Sequence, residues 1–363
     1  MEEAGEMAAL AVPFAAGAVA GYFLPTLPGA ESCWFLPGLL LSAVAVWLPA
    51  VFSGRHPLAA YGVLFLLLGC FCQCSCSLLP LRPSGTPSPA ARACSILKER
   101  IAAIPFPHER SAGVIQALLT GDRSNLSRET TAAFRKSGAS HILALSGLHL
   151  GLIYLIIKRL FSLSGQTPLA RRGRCAATLA ATGFYTLMTG AGPSTVRAFF
   201  FICVNEASSL SPDRRKDPIR SLLIALTIQL ALTPSVITGV GFQLSYLAML
   251  GIIVLPPRLQ TWYPAPQTRL GRIDPMRRIW NAAALTLSCQ AFTAPLVWLR
   301  FHTFPKYFLL TNLIALPLTS VVMVVSVATL TLSALGCCPE IAIKINDALV
   351  QALLRTLDII STM

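Results

Sequence analysis

The sequence predicts an all-α protein, a polytopic helical bundle embedded in a membrane, and three observations carry that expectation. Charged residues make up 12% of the chain and apolar residues 54%, whereas soluble domains carry about 25% charge. About ten stretches, each close to the roughly 20 apolar residues that cross a hydrocarbon core, follow one another along most of the chain. The basic residues collect in short loops between those stretches, as they do on the cytoplasmic side of membrane proteins.

The hydrophobic segments fall at 7–24, 33–52, 58–79, 141–163, 174–191, 195–210, 219–233, 236–255, 279–299 and 307–336. The first is expected to be a retained span, because a signal peptide places basic residues ahead of its apolar core and this chain begins Met1-Glu2-Glu3. Pro317 and the length of the last segment predict a kink or a partly re-entrant course. Cys70, Cys72, Cys74 and Cys76 alternate at the end of the third segment. A two-residue spacing scatters thiols around a helix, whereas a zinc site needs four that converge. They read as small apolar helix residues, with lipidation or redox chemistry as the alternatives. No metal or cofactor is expected, and the Gly-x-x-x-x-Gly-Lys-Ser/Thr phosphate loop is absent.

The loops 158–174, 214–220 and 258–278 are dense in Lys and Arg and are assigned to the cytoplasm. The turns Gly190-Ala191-Gly192-Pro193 and Thr233-Pro234-Ser235 then lie outside, and counting backwards leaves the amino terminus cytoplasmic. On this scheme residues 1–79 form amino-terminal spans, 80–140 an extracytoplasmic linker with amphipathic helices, 141–336 the membrane core and 337–363 a carboxy-terminal amphipathic helix. The linker, Leu81 to Pro89, is rich in Pro and Ser. Helices are expected at 90–104 and 108–119, and a third from an N-cap at Ser127 to Lys136, closed by Gly138. Lys98, Arg100, Arg110, Arg123, Arg128, Arg135 and Lys136 make this layer basic, suited either to lipid headgroups or to nucleic acid.

Three motifs stand out. Leu119-Thr120-Gly121-Asp122-Arg123 and Phe134-Arg135-Lys136-Ser137-Gly138 lead into Ser140-His141-Ile142-Leu143-Ala144-Leu145-Ser146-Gly147-Leu148-His149-Leu150-Gly151. Gly190-Ala191-Gly192-Pro193-Ser194-Thr195-Val196-Arg197-Ala198 and Gly241-Phe242-Gln243-Leu244-Ser245-Tyr246-Leu247-Ala248 follow. In this order, over roughly residues 110–335, they resemble the ComEC-type competence family. The resemblance implies a channel of the cytoplasmic (inner) membrane that passes single-stranded DNA into the cell during natural transformation. It also implies a separate ATP-driven motor on the cytoplasmic side, an outer DNA receptor and degradation of the complementary strand outside. The family commonly adds an OB-fold domain and a metallo-β-lactamase-like nuclease domain. Residues 80–140 read instead as linker and helices, and a nuclease metal cluster is not found up to Met363. The resemblance is therefore to the channel core, with any nuclease on a separate chain and no catalysis expected from this one.

A DNA strand needs donors, positive charge and stacking surface along its path, which singles out polar residues inside the spans. At about 100° per residue, Ser140, Ala144, Gly147 and Gly151 share a stripe of small residues suited to helix packing. His141, Ser146 and His149 lie on the arc opposite and are candidates to line the path, unless Ser146-Gly147 breaks the helix. Ser146 and His149 also suggest a nucleophile and its base, but the span holds no acidic orienter. Arg197 is the strong base within an apolar outer half-span, suited to the path or to snorkelling. Gln243, Ser245 and Tyr246 enter from the same side, as path residues or as interhelical hydrogen bonds. Gln229, Asn205, Gln290 and Asn312 are further polar candidates. Other readings are a small-solute transporter and a non-conducting membrane subunit of the competence machinery. Expected partners are single-stranded DNA and membrane lipid, with homo-oligomerisation open.

Overall fold

The computed structural model describes residues 2–24, 38, 41–42, 58–78, 88–162, 167–210, 217–263, 274–302 and 307–362. The expected span 33–52, most of the linker and the centres of the basic loops lie outside these. The described residues are helical, with no strand among them. They divide into two compact units, Met1–Gly85 with Val196–Leu250, and Thr86–Thr195 with Gly251–Met363.

Four helical stretches have the length and apolar composition to cross a membrane: Ala4–Phe23, Val240–Trp262, Pro275–Phe301 and Phe308–Ala334. About ten apolar segments were expected; these four, with the shorter apolar helices Tyr61–Cys76 and Pro218–Leu232, are found among the described residues.

In the first unit, α1 (Glu2–Phe23) and α2 (Leu58–Leu78) pack along most of their length. Glycine makes that closeness possible. A Cβ at Gly17 would strike the Leu66 carbonyl, one at Gly69 the Phe14 carbonyl, and one at Gly21 would stand 2.7 Å from the Cys70 carbonyl. Cys70 and Cys74, one helical turn apart, are buried, and the Cys74 Sγ donates to the Gly21 carbonyl at 3.5 Å. Cys72 is half-buried and Cys76 exposed, and none of these four thiols forms a disulfide. Phe14, Leu230 and Phe242 then join α1 to α10 (Pro218–Leu232) and α11 (Val240–Val254), with the 3-10 turn Pro234–Thr238 between them.

The second unit holds α3 (Pro89–Ala102), α4 (Glu109–Thr120), α5 (Arg128–Lys136), α6 (Ser140–Leu143), α7 (Gly147–Phe161) and α8 (Pro168–Met188). The short α12 (Pro256–Leu259), then α13 (Pro275–Phe301), α14 (Phe308–Ala334) and α15 (Glu340–Thr362), complete it. Its local signals are the expected ones. Ser127 Oγ accepts from the Thr130 N–H at 3.1 Å, and Gly138 takes a left-handed φ of 78°. The structure differs from expectation in two places. The helix α4 was expected as an interfacial amphipathic helix, but Ser111 and every residue from Gly113 to Thr120 are buried. Its apolar residues occur all around the helix, which suits a core and not an interface. The carboxy-terminal helix expected over 337–363 is α15, whose Val350, Leu353 and Leu357 are fully buried against α4, α5 and α14. Finally, α14 runs unbroken through Pro317, so no re-entrant turn forms there. At 1.5 Å per residue it reaches about 40 Å, enough to cross with tilt.

The α4–α15 contact is polar as well as apolar. His108 caps α4 without a side-chain hydrogen bond of its own. The buried Asp347 of α15 supplies that cap, accepting from the His108 N–H at 3.3 Å and the Ser111 Oγ at 2.6 Å, with His108 Nδ1 at 2.7 Å.

The α1–α2 seam yields a test. Gly69→Ala must push two backbones apart and is expected to destabilise the protein by about 1–3 kcal/mol, read as a fall in the thermal midpoint in detergent. Gly62→Ala, whose Cβ would meet neighbours at an ordinary 3.6 Å, is expected to leave the midpoint unchanged or raise it.

Candidate functional site

The first unit brings the end of the second motif, from Val196 on, together with the third. Gly190 and Ala191 take left-handed φ of 84° and 50°, which ends α8 and turns the chain. Pro193, preset for a first helical position, opens α9 (Pro193–Leu210). Ser194 therefore lies inside the helix, and Thr195 Oγ1 donates back to the Gly192 carbonyl at 2.8 Å. Arg197 sits one turn in, 7% exposed, with its guanidinium carbon 5.8 Å from the centre of the Tyr246 ring on α11. A guanidinium over an aromatic face is attracted by the ring quadrupole, more strongly away from water.

Around that pair the polar groups are tied down. The Tyr246 hydroxyl donates to Gln229 Oε1 at 2.9 Å, and its ring meets Phe242 at 4.6 Å between centroids. Gln243 Nε2 donates to the Ile237 carbonyl at 2.9 Å, holding the 3-10 turn against α11, and Ser245 is buried on the same helix. Gln229, a minor candidate from sequence, belongs to this cluster. Sequence reasoning did not single out Glu206, buried on α9. An acidic residue in an otherwise apolar helix was the available signal.

The first motif lies in the second unit and is not one helix. The chain leaves α6 at Leu143, runs extended through Ala144 and resumes as α7 at Gly147. Ser146 is the N-cap, and its backbone N–H donates to His149 Nδ1 at 3.4 Å. His149 is buried at this cap, while the Nδ1 of His141 lies 3.1 Å from the Gly138 carbonyl. His149 Nδ1 thus serves the Ser146 backbone, which is a helix cap and not the geometry of a nucleophile with its base. The break also removes the common helix on which Ser140, Ala144, Gly147 and Gly151 were aligned. A methyl group at Gly151 would meet open space.

The preceding loop is built from charge. Asp122 Oδ2 accepts from Lys98 Nζ at 2.6 Å and from Gln116 Nε2 at 3.3 Å, and its Oδ1 from the Ser124 N–H at 2.9 Å. Asn125 Nδ2 in turn donates to Gln116 Oε1 at 2.9 Å. The Lys98 hydrogen bond, helped by Ser124, holds the Asp122 carboxyl down at about 2. Among the described residues no three His, Cys, Asp or Glu side chains are grouped to hold a metal.

This gives a pH dependence with a definite sign. A carboxyl held below its unfolded value stabilises the fold above that value, and the contribution is lost as pH falls through the folded one. The thermal midpoint is therefore expected to fall between about pH 4 and pH 2 through this pair. Both side chains are about a third exposed, so water keeps the effect to about 1 kcal/mol or less. Lys98→Met should flatten that part of the profile, measured by thermal unfolding across pH.

The chain is 28% identical to the ComE operon protein 3 of Bacillus subtilis (strain 168) over 207 residues, covering 57% of this chain and 24% of that protein. It is 25% identical to the uncharacterized protein YcaI of Escherichia coli (strain K12) over 246 residues, covering 64% of this chain and 30% of that one. The chain thus spans under a third of the length of either relative. No solved structure matches it. Residues 118–363, which contain all three motifs, match the competence protein family. That match takes in well over half of the chain, which therefore belongs to the competence protein family.

Proposed function

We propose that this chain is the membrane core of a DNA-uptake channel, passing single-stranded DNA inward across the cytoplasmic membrane during natural transformation. The observation that carries the reading is the buried Arg197 lying over the Tyr246 ring, which joins two family motifs in an apolar setting. An intramembrane cation is costly and marks function by default. A guanidinium carries its N–H donors in a planar fork whose geometry matches a phosphate. A path for a strand wants both groups: a cation for the phosphate and a ring for the base.

On this reading the basic layer on α3 to α5 collects the strand outside. His141, Ser146, His149, Gln243, Ser245 and Tyr246 are the further path candidates. The domain scheme 1–79, 80–140, 141–336 and 337–363 and the cytoplasmic amino terminus are part of the proposal. So are a separate motor, receptor and nuclease, and assembly with further copies of the chain.

Losing one phosphate contact removes one counterion-release event and lowers the single-strand salt slope by about 0.7 in magnitude. Arg197→Gln is therefore expected to reduce transformation and flatten the salt dependence of single-stranded DNA binding by that amount, with membrane level and thermal stability retained. Arg197→Lys keeps the charge without the fork, and its residual uptake reports whether point charge suffices. Normal transformation with an unchanged slope would assign Arg197 to packing or lipid.

Orientation is tested separately. Single cysteines near Arg172, Lys216 and Arg272, in a cysteine-free background, should be shielded from an impermeant thiol reagent in whole cells. One near Ser88 should label, and strong labelling at the first three reverses the topology.

A further inference from the structure

The loop after α4 is anchored on every side. Gly121 caps α4 with φ of 78°, a conformation glycine adopts without strain. A Cβ there would lie 2.6 Å from Leu145 Cδ1, so Leu145 rests directly on this glycine. Asp122 is held by Lys98 and Gln116, and the Tyr185 hydroxyl donates to the Leu119 carbonyl at 2.7 Å. From this fixed platform Arg123 Nε donates to the Leu143 carbonyl at 3.2 Å.

Leu143 is the last residue of α6. In an uninterrupted helix its carbonyl would accept from the N–H of Gly147, four residues on. Arg123 occupies that acceptor. Its competitor is weak, because glycine is a poor helix former and serine prefers caps, and Ser146 and Gly147 are the two residues at the restart. A second clamp lies upstream, where Thr311 Oγ1 donates to the Ser137 carbonyl at 2.7 Å. We infer that Arg123 is a positioning residue, which keeps the first-motif helix divided by taking the Leu143 carbonyl from Gly147. The division sets His141 and His149 on separate half-helices. Its bearing on transport rests on the proposed channel function, but the positioning itself does not.

The experiment is hydrogen exchange, followed by mass spectrometry, on the full chain in lipid nanodiscs. With Arg123→Met the Leu143 carbonyl is released, the half-helices join, and the Gly147 amide gains a partner. Its exchange is expected to slow about fivefold to tenfold, the scale of a net backbone hydrogen bond. Arg123→Lys retains a charged donor and should exchange like wild type. Unchanged Gly147 exchange in the methionine variant overturns the inference. So does faster exchange throughout α3 to α7, which would make the loop a general support of the fold. Transformation assayed on the same variants separates the two ideas. Slowed exchange with normal DNA uptake leaves Arg123 as the positioning residue and removes His141 and His149 from the path.

Discussion

Every place where a helix stops leaves carbonyls without an intrahelical partner, and much of the polar chemistry of this protein answers that constraint. The Leu119 carbonyl at the end of α4 receives the Tyr185 hydroxyl, Ser137 receives Thr311, and Leu143 receives Arg123. Ile237 receives Gln243, and Leu259 receives the Trp280 indole N–H at 3.0 Å. Those donors come from distant helices as often as from neighbours. The same bonds that satisfy the backbone therefore also hold the helices of each unit in register.

This double use decides what the sequence could and could not reveal. The caps and turns were legible, because Ser127, Gly138 and Gly190-Ala191-Gly192-Pro193 act through local geometry alone. The apolar character of the chain was legible for the same reason. The burial of α4 was not. A basic, partly polar segment between spans has the composition of an interface, and only the arrival of α14 and α15 turns it into core. Likewise, the angular stripe through Ser140 and Gly151 assumed one helix, whereas side chains from other elements stabilise two.

The candidate site was legible in its members and not in its pairings. Arg197 and Tyr246 were each suspect as polar groups in apolar helices, but nothing in their spacing said that one would lie over the other. Gln229 ranked low because a lone amide in a span is common, and it gained meaning only from its contact with the Tyr246 hydroxyl. Buried polar residues in membrane helices are thus best weighed in groups, since a partner distinguishes a cluster from a set of isolated expenses.

The cap that Asp347 provides for α4 also has a bearing on biosynthesis. The first turn of that helix is completed by a carboxylate 239 positions further along the chain. During synthesis α4 must emerge, and the spans after it must insert, before the residue that closes its amino-terminal end has been made. The second unit therefore cannot reach its final packing stepwise behind the ribosome. It must wait, partly open, for α15 to dock, which makes that interval the one in which the unit is most exposed to quality-control proteases and to mispairing with other helices in the membrane.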